Sequence, residues 1–460
     1  MRYLTADIGS TYTKLTAIDA QQRRIVGTAQ AFTTIDTNVL EGFQQALTML
    51  EAKVGCWADA PLLACSSAAG GLKMVALGLV PDLTAKAART AASNAGAKVV
   101  KTYAYEISQE EADEIEAIAP DIVLLCGGTD GGNKEVILAN AHRLCAIEGR
   151  FTTVVAGNKS AGDEIARIFT ENKRDFRLVA NVMPRFNELC IEPARDAIRQ
   201  LFIEQIVNAK GLSELQTLAE NDIIPTPLAV LQACELLSKG TVERTGMGDL
   251  LVVDIGGATT DVYSMAWGTP SQEGMLTKGL VEPWAKRTVE GDLGMRYSLS
   301  HVLEAVGADT IARRCGSSVE RVAQYVAQCT ATPATLPQPE SEDERIEMAL
   351  GHEAVALAVR RHCGRVEQVY TPLGLMHTLE GKDLMDVPLV VGVGGVLHHG
   401  RCAKELLRGA QFDLQHPTCA MPRHPRLALD GQYIFAALGL LSTVDPTLAY
   451  DLLEQDIYYL

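Results

Sequence analysis

The chain has 460 residues, of which 41 are basic and 57 acidic, a net charge of −16 at pH 7. That balance argues against nonspecific nucleic-acid binding and against attachment to an anionic membrane surface. Its 47% hydrophobic and 21% charged content suits a soluble globular protein, long enough for two or three domains around a sizeable core.

The N-terminus runs straight into a strand, without the basic, apolar and small-residue segments of a secretory signal. Residues 2–31 read as three strands, broken by an Asp-x-Gly turn and a Gln-Gln turn. Lys14, just past the first turn, is expected to be an exposed strand lysine, with phosphate contact as the alternative. An amphipathic helix follows at 38–54 and a strand at 61–67. The SSAAGG run at 66–71 either lines a cleft or packs closely against backbone. From about 72 to 180, helices at 82–95, 108–118, 134–148 and 160–172 alternate with strands at 97–103, 121–126 and 152–157. This is the pattern of a parallel α/β unit. Its CGGTDGG segment (126–132) stands at a strand's carboxyl end, where open α/β sheets bind ligands. The alternative there is a tight glycine turn leading into a helix.

Residues 185–240 read as helical, with the last helix at 225–240, followed by a hairpin at 250–268. A Pro-rich, acidic stretch at 331–345 is the clearest loop. A helix at 344–362, a strand running into glycines at 387–395 and an apolar closing helix at 430–442 complete the chain. The longest apolar stretches, such as 433–441, fall far short of the ~20 residues of a membrane span. Eleven cysteines, an odd number with no C-x-x-C pair, read as reduced thiols of a cytoplasmic protein. His416, Cys419 and His424 have metal-like spacing, but zinc wants a fourth ligand and the intervening prolines suit an irregular surface loop. No metal site is expected there. No G-x-x-x-x-G-K-[ST] motif occurs, which argues against a P-loop.

The most informative stretches are VVDIGGATTD (252–261) and its weaker partner TADIGSTYTK (5–14). Each is an apolar strand that reaches Asp, turns through glycine and leaves along hydroxyl-bearing residues. Glycine lets backbone N–H groups approach a phosphate closely, and Thr and Ser hydroxyls add donors. An Asp beside phosphate makes sense through a hydrated Mg²⁺ bridging the phosphate oxygens. One such turn is a common hairpin; two, separated by half the chain, suggest two similar halves facing a shared cleft. Asp7, Asp254 and Asp261 are therefore the candidates for holding Mg²⁺ and orienting an attacking water.

This pairing resembles the actin–sugar kinase–heat-shock-70 ATPase superfamily. Asp7, Gly9, Ser10 and Thr11 match its first phosphate turn, with Tyr12 adjoining. Asp254, Gly256, Gly257, Thr259 and Asp261 match its second, which also contains Ala258. Gly392, Gly394 and Gly395 match the glycine strand that packs on adenosine. The resemblance implies a two-domain, actin-like (ribonuclease H-like) α/β ATPase fold with ATP and Mg²⁺ as cofactors. The implied boundaries are 1–71 for the first part of domain I, 72–184 for an inserted α/β domain, and 185–248 for a helical connection. Residues 249–429 then form domain II, and 430–460 a connecting helix returning to domain I.

Over most of its length the chain also resembles the glutamate mutase accessory family called MutL or GlmL, unrelated to the mismatch-repair protein of that short name. DIGSTYTK, LVPDLTAKAA, DIVLLCGGTDGGN, VVDIGGATTDVYS, VEGDLGMR and VVGVGGVLHH carry this resemblance. It implies an ATP-dependent, chaperone-like reactivating factor that exchanges damaged cobalamin in an adenosylcobalamin-dependent mutase or aminomutase. The alternatives are an activator of the 2-hydroxyacyl-CoA dehydratase type and a small-molecule kinase of the same fold. A homodimer is compatible with the sequence, and no nucleic-acid or membrane partner is expected.

Overall fold

The computed structural model describes residues 1–9, 11–34, 37–57, 59–67, 73–206, 211–371 and 374–460. They form two compact units. The first comprises Met1–Leu236, Gly279–Val281 and Ala436–Leu452; the second comprises Leu237–Lys278, Glu282–Phe435 and Leu453–Leu460.

The first unit contains strands β1 (Arg2–Ile8), β2 (Tyr12–Asp19), β3 (Arg24–Phe32), β4 (Leu62–Ser66) and β5 (Lys73–Gly78). It continues with β6 (Lys98–Ala104), β7 (Ile122–Leu125), β8 (Thr152–Val155), β9 (Phe176–Leu178) and β10 (Ile224–Pro225). Its first sheet has the order β10-β4-β1-β2-β3, antiparallel from β1 to β3 and parallel from β1 through β4 to β10. Strand β1 is buried on both faces beyond Arg2, with Thr5 and Asp7 as its buried polar residues. Helix Val39–Val54, N-capped by Asn38, buries Phe43, Ala46 and Leu50 in the core shared with β1 and β2.

The second sheet of this unit has the order β6-β5-β7-β8-β9, parallel throughout. In chain order that is 2-1-3-4-5, a doubly wound arrangement with a switch point between β5 and β7. Its strand β5, between β6 and β7, is absent from the sequence expectation because the apolar run from Met74 to Val80 has no alternation to mark it. Alternate residues of β5 point to opposite faces: Met74 and Ala76 join the core of the first sheet, while Val75 and Leu77 join a separate core with Ile115, Ile137 and Ile165. The two sheets of this unit therefore share one continuous core. The expected helix at 82–95 is a π-turn at Pro81–Ala85 leading into the α-helix Lys86–Asn94.

The second unit contains β11 (Leu250–Ile255), β12 (Thr260–Met265), β13 (Leu276–Lys278), β14 (Ala285–Glu290) and β15 (Arg365–Thr371). It closes with β16 (Gly374–Glu380), β17 (Leu389–Val393), β18 (Arg426–Asp430) and β19 (Ile457–Tyr459). Its main sheet runs β14-β12-β11-β17-β18-β19. Strands β11, β12 and β14 form an antiparallel meander, and β17 and β18 lie parallel to β11. Read from each unit's own first strand, both main sheets share the order third-second-first-fourth-fifth, to which the second sheet adds β19 at its edge. That repeated order is the duplicated, actin-like ribonuclease H fold. Strands β13, β16 and β15 make a small third sheet.

The helix after VEGDLGMR is short. Leu299–Val306 ends at Gly307, whose φ of 89° breaks it before Ala308–Cys315 begins. Helix Glu342–His362 is the longest in the unit and carries much of its core. Among the described residues no helix is long and apolar enough to cross a membrane.

Lys382 is 1% exposed in this unit. Its ammonium donates to the carbonyls of Trp284 (2.8 Å), Pro283 (3.1 Å) and Ser264 (3.3 Å). Burial, then the positive charge of Lys286, pulls its pKa down to about 7, against the opposing pull of Glu282 and Asp249. The unfolded chain, with lysine near its ordinary value of about 10.4, then binds more protons between the two values. The penalty for a charged Lys382 is fully present below pH 7 and fades as pH rises toward 10. Stability against denaturant should climb across this window by a few kcal/mol at most, and Lys382→Met should remove that rise. Equal slopes in the variant and wild-type chains would refute it.

Candidate functional site

The two Asp-x-Gly turns have the same construction. In the first, Gly9 N–H donates to Tyr12 O at 3.0 Å, and Asp7 lies opposite Lys14 across the hairpin. In the second, Gly256 N–H donates to Thr259 O at 2.9 Å, and Asp254 lies opposite Asp261. The neighbouring parallel strand also repeats: Cys65 of β4 pairs with Asp7, and Val393 of β17 pairs with Asp254. Duplication thus extends from topology to individual residue positions.

In the first turn Asp7 is buried, and Thr226 Oγ1 donates to its Oδ1 at 2.8 Å. The Cys65 thiol donates to the same oxygen at 3.5 Å. Burial, then the Asp7 charge, pushes this thiol well up, so it stays protonated. Lys14 departs from the expectation of an exposed lysine: it is half-buried, with its ammonium 3.5 Å from Asp7 Oδ2. The reason is register, since pairing with Asp7 turns its side chain to the carboxylate's face of the sheet. Thr11 and Tyr12 are exposed, Tyr12 stacking on Phe32 with ring centroids 4.7 Å apart. Ser10 and the 68–71 part of SSAAGG lie outside the described residues.

The second turn is braced from behind by a segment whose role the sequence did not reveal. Met295 N–H donates to Gly256 O (3.0 Å), Arg296 and Tyr297 N–H donate to Gly257 O (2.8 and 2.9 Å), and Ser298 Oγ donates to Ala258 O (2.8 Å). These peptides are trans, so each N–H points opposite its carbonyl. The amides of Gly257, Ala258 and Thr259 therefore turn away from the brace, as an anion cradle requires. Gly294 is needed for this close packing: a Cβ there would meet Ala258 C at 2.3 Å.

Asp254 and Asp261 share one face of the sheet, and the glycine strand adjoins Asp254. Gly394 has φ 102°, and a Cβ there would lie 2.6 Å from Asp254 Oδ1. Gly395 opens the short helix Gly395–His399. Gly392 is placed differently, inside β17, where a Cβ would meet Leu397, Leu407 and Leu429 within 2.9 Å. Asp261 is buried, and its Oδ1 accepts from Arg287 Nε at 2.8 Å. Sequence gave no sign of Arg287 as a partner. Burial strips the guanidinium of hydration, and Asp261 more than compensates, so Arg287 titrates above its ordinary range.

At the carboxyl end of β18, near the Gly394 turn, lies a cavity of about 340 Å³ lined by His398, Asp430, Gln432, Gln455, Asp456 and Tyr458. Burial first, then the adjoining Asp456, drives Asp430 well above the usual carboxylate range. In the first unit, the CGGTDGG loop follows β7. Buried Asn158 and Asn181 tie it down, Asn158 Nδ2 to Gly132 O at 3.0 Å and Asn181 Nδ2 to Asp130 Oδ1 at 3.0 Å. All eleven cysteines are free.

The sequence profile described as MutL protein matches residues 3–457. The chain belongs to the MutL protein family. Protein MutL of Clostridium tetanomorphum is 45% identical over 461 residues, covering 98% of each chain. Among solved structures, the chain shows weak similarity to several. One is the activator of 2-hydroxyisocaproyl-CoA dehydratase from Clostridium difficile with bound ADPNP (11% identity, 99% of this chain and 96% of that one, TM-score 0.31). Another is the ligand-bound xylulose kinase of Lactobacillus acidophilus (10% identity, 100% and 92%, TM-score 0.36). A third is ethanolamine utilization protein EutJ of Carboxydothermus hydrogenoformans (12% identity, 98% and 89%, TM-score 0.29). The fold assignment itself rests on the repeated strand order.

Proposed function

We propose that this chain is an ATP-dependent reactivating factor for a cytoplasmic adenosylcobalamin-dependent mutase or aminomutase of the glutamate mutase type. The observation that carries the nucleotide part is the braced turn at 256–259, with three carbonyls bound from behind and three amides turned the other way. Membership of the MutL family supports the choice of client.

Mg²⁺ usually binds through one or two carboxylates, several waters and substrate phosphates. The site fits that donor set: Asp254 has room beside Gly394, and Asp7 stands at the equivalent position of the first turn. Asp254 would hold the ion at the second turn, as Asp7 would at the first; Asp261 is the third candidate from the sequence. Bound Mg²⁺ would supply charge neutralisation at the phosphates, and ATP hydrolysis the free energy to reshape a client. The chain's own part is to orient phosphate with the 257–259 amides, to place the hydroxyls of Thr11 and Thr259, and to fix Asp7 through Thr226 and Lys14. The cavity beside His398 suits a base or ribose. The carboxyl edge of the β5–β9 sheet, with its pre-ordered glycine loop, is the surface for the client.

The test inactivates a candidate mutase by turnover, adds this chain with Mg·ATP and fresh adenosylcobalamin, and follows recovered mutase activity. Recovery should require ATP and be lost with Asp254→Ala. Equal recovery without ATP would refute the reading. An iron–sulfur absorption band in anaerobically purified protein would favour a dehydratase-type activator instead, and sugar-stimulated turnover a kinase.

A further inference from the structure

We propose that Arg287 is a positioning residue of the second phosphate turn. It draws Asp261 away from Asp254 so that Asp261 orders Thr259, leaving Asp254 as the member of the pair that would face a bound cation. This rests on the nucleotide reading above and revises the sequence expectation that Asp261 binds metal.

Asp254 and Asp261 are direct cross-strand partners, so two like charges project from one face of the sheet. Such a pair is unfavourable unless something separates or neutralises it. Here they lean in opposite directions. Asp254 Oδ1 lies 2.6 Å from where a Gly394 Cβ would sit, toward β17. Asp261 Oδ1 takes both Nε (2.8 Å) and a terminal nitrogen (2.6 Å) of Arg287, toward β14. Since β17 and β14 lie on opposite sides of the β11–β12 hairpin, the two carboxylates are pulled apart.

Arg287 is diagonal to Asp261, two positions from its direct partner Val289, and its side chain is 3% exposed. A guanidinium so deeply buried is a poor way to gain stability, because apolar residues of similar volume do as well. What it supplies is a fixed direction for one carboxylate. The other Asp261 oxygen accepts from Thr259 Oγ1 at 3.2 Å. Arg287, Asp261 and Thr259 thus form a chain from the third strand of the meander to the residue closing the phosphate turn.

The test uses the full chain and a fluorescent ATP analogue, mant-ATP, titrated with nucleotide at fixed Mg²⁺ and with Mg²⁺ at fixed nucleotide, alongside thermal unfolding. Arg287→Met should lower the unfolding temperature by leaving a buried carboxylate unpaired. Arg287→Met/Asp261→Leu, which removes the pair as a unit, should recover it and keeps the test open if the single variant does not fold. In that double variant mant-ATP should bind about tenfold more weakly, the scale of one lost charge-assisted hydrogen bond. Its half-saturating Mg²⁺ concentration should match wild type, whereas Asp254→Asn should raise it about tenfold or more. A Mg²⁺ shift in the double variant as large as in Asp254→Asn would make Asp261 a metal ligand and overturn the proposal. Unchanged mant-ATP affinity would reduce the pair to structure alone and also overturn it. Failure of the wild-type chain to bind mant-ATP would overturn the nucleotide reading, and this inference with it.

Discussion

Asp254→Ala is expected to lower ATP turnover about a hundredfold to a thousandfold, the several kcal/mol that one metal-positioning carboxylate supplies. The side chain is half-buried at the end of β11, and its space is kept open by Gly394, so truncation leaves a small gap rather than a collapsed core. Folding should therefore survive. Asp7→Ala should also reduce turnover, but it leaves Thr226 and Lys14 without their shared acceptor in a buried setting and should lose stability as well. Phosphate release and thermal melting on both variants separate the two effects. Wild-type turnover in Asp254→Ala would remove this residue from the site.

How much of this was legible beforehand depends on the range of the contacts involved. The two turns were legible because their chemistry is local: Asp, Gly and hydroxyl residues fall within ten positions in each hairpin. The long amphipathic or apolar helices were legible for the same reason. Strands β9 and β10, of three and two residues, are too short to carry a period, and β5 hides in an apolar run. The partners of the carboxylates were out of reach altogether. Thr226 meets Asp7 across 219 positions of sequence, and Arg287 meets Asp261 across 26. A lone Arg in a strand looks the same whether it faces water or a buried carboxylate. Lys14 was misjudged on that ground: strand position fixes its face, but only the pairing register says what shares that face.

Gly439→Ala should destabilise the first unit through backbone crowding. Gly439 lies in the helix Phe435–Leu441 where it crosses Thr226–Lys239, and an added Cβ would sit 1.8 Å from Ala229 O and 2.7 Å from Ala229 C. Alanine gains roughly 1 kcal/mol of helix propensity over glycine. Against that, overpacking costs about 1–3 kcal/mol and more where nothing can yield. Here the obstacle is backbone, so the upper end applies and the net change should be destabilising by about 2 kcal/mol. Gly351→Ala in helix Glu342–His362 is the control: its new Cβ meets the branched end of Leu406 at 2.9 Å, a side chain that can rotate aside. There the propensity gain should offset the crowding. The consequence at Gly439 reaches the site, because Thr226 begins the displaced helix and donates to Asp7. Pushing the helices apart should lengthen that hydrogen bond, so Gly439→Ala should show faster amide exchange in 226–239 together with reduced turnover. Faster exchange with turnover intact would mean that Thr226 does not hold Asp7 in its working position.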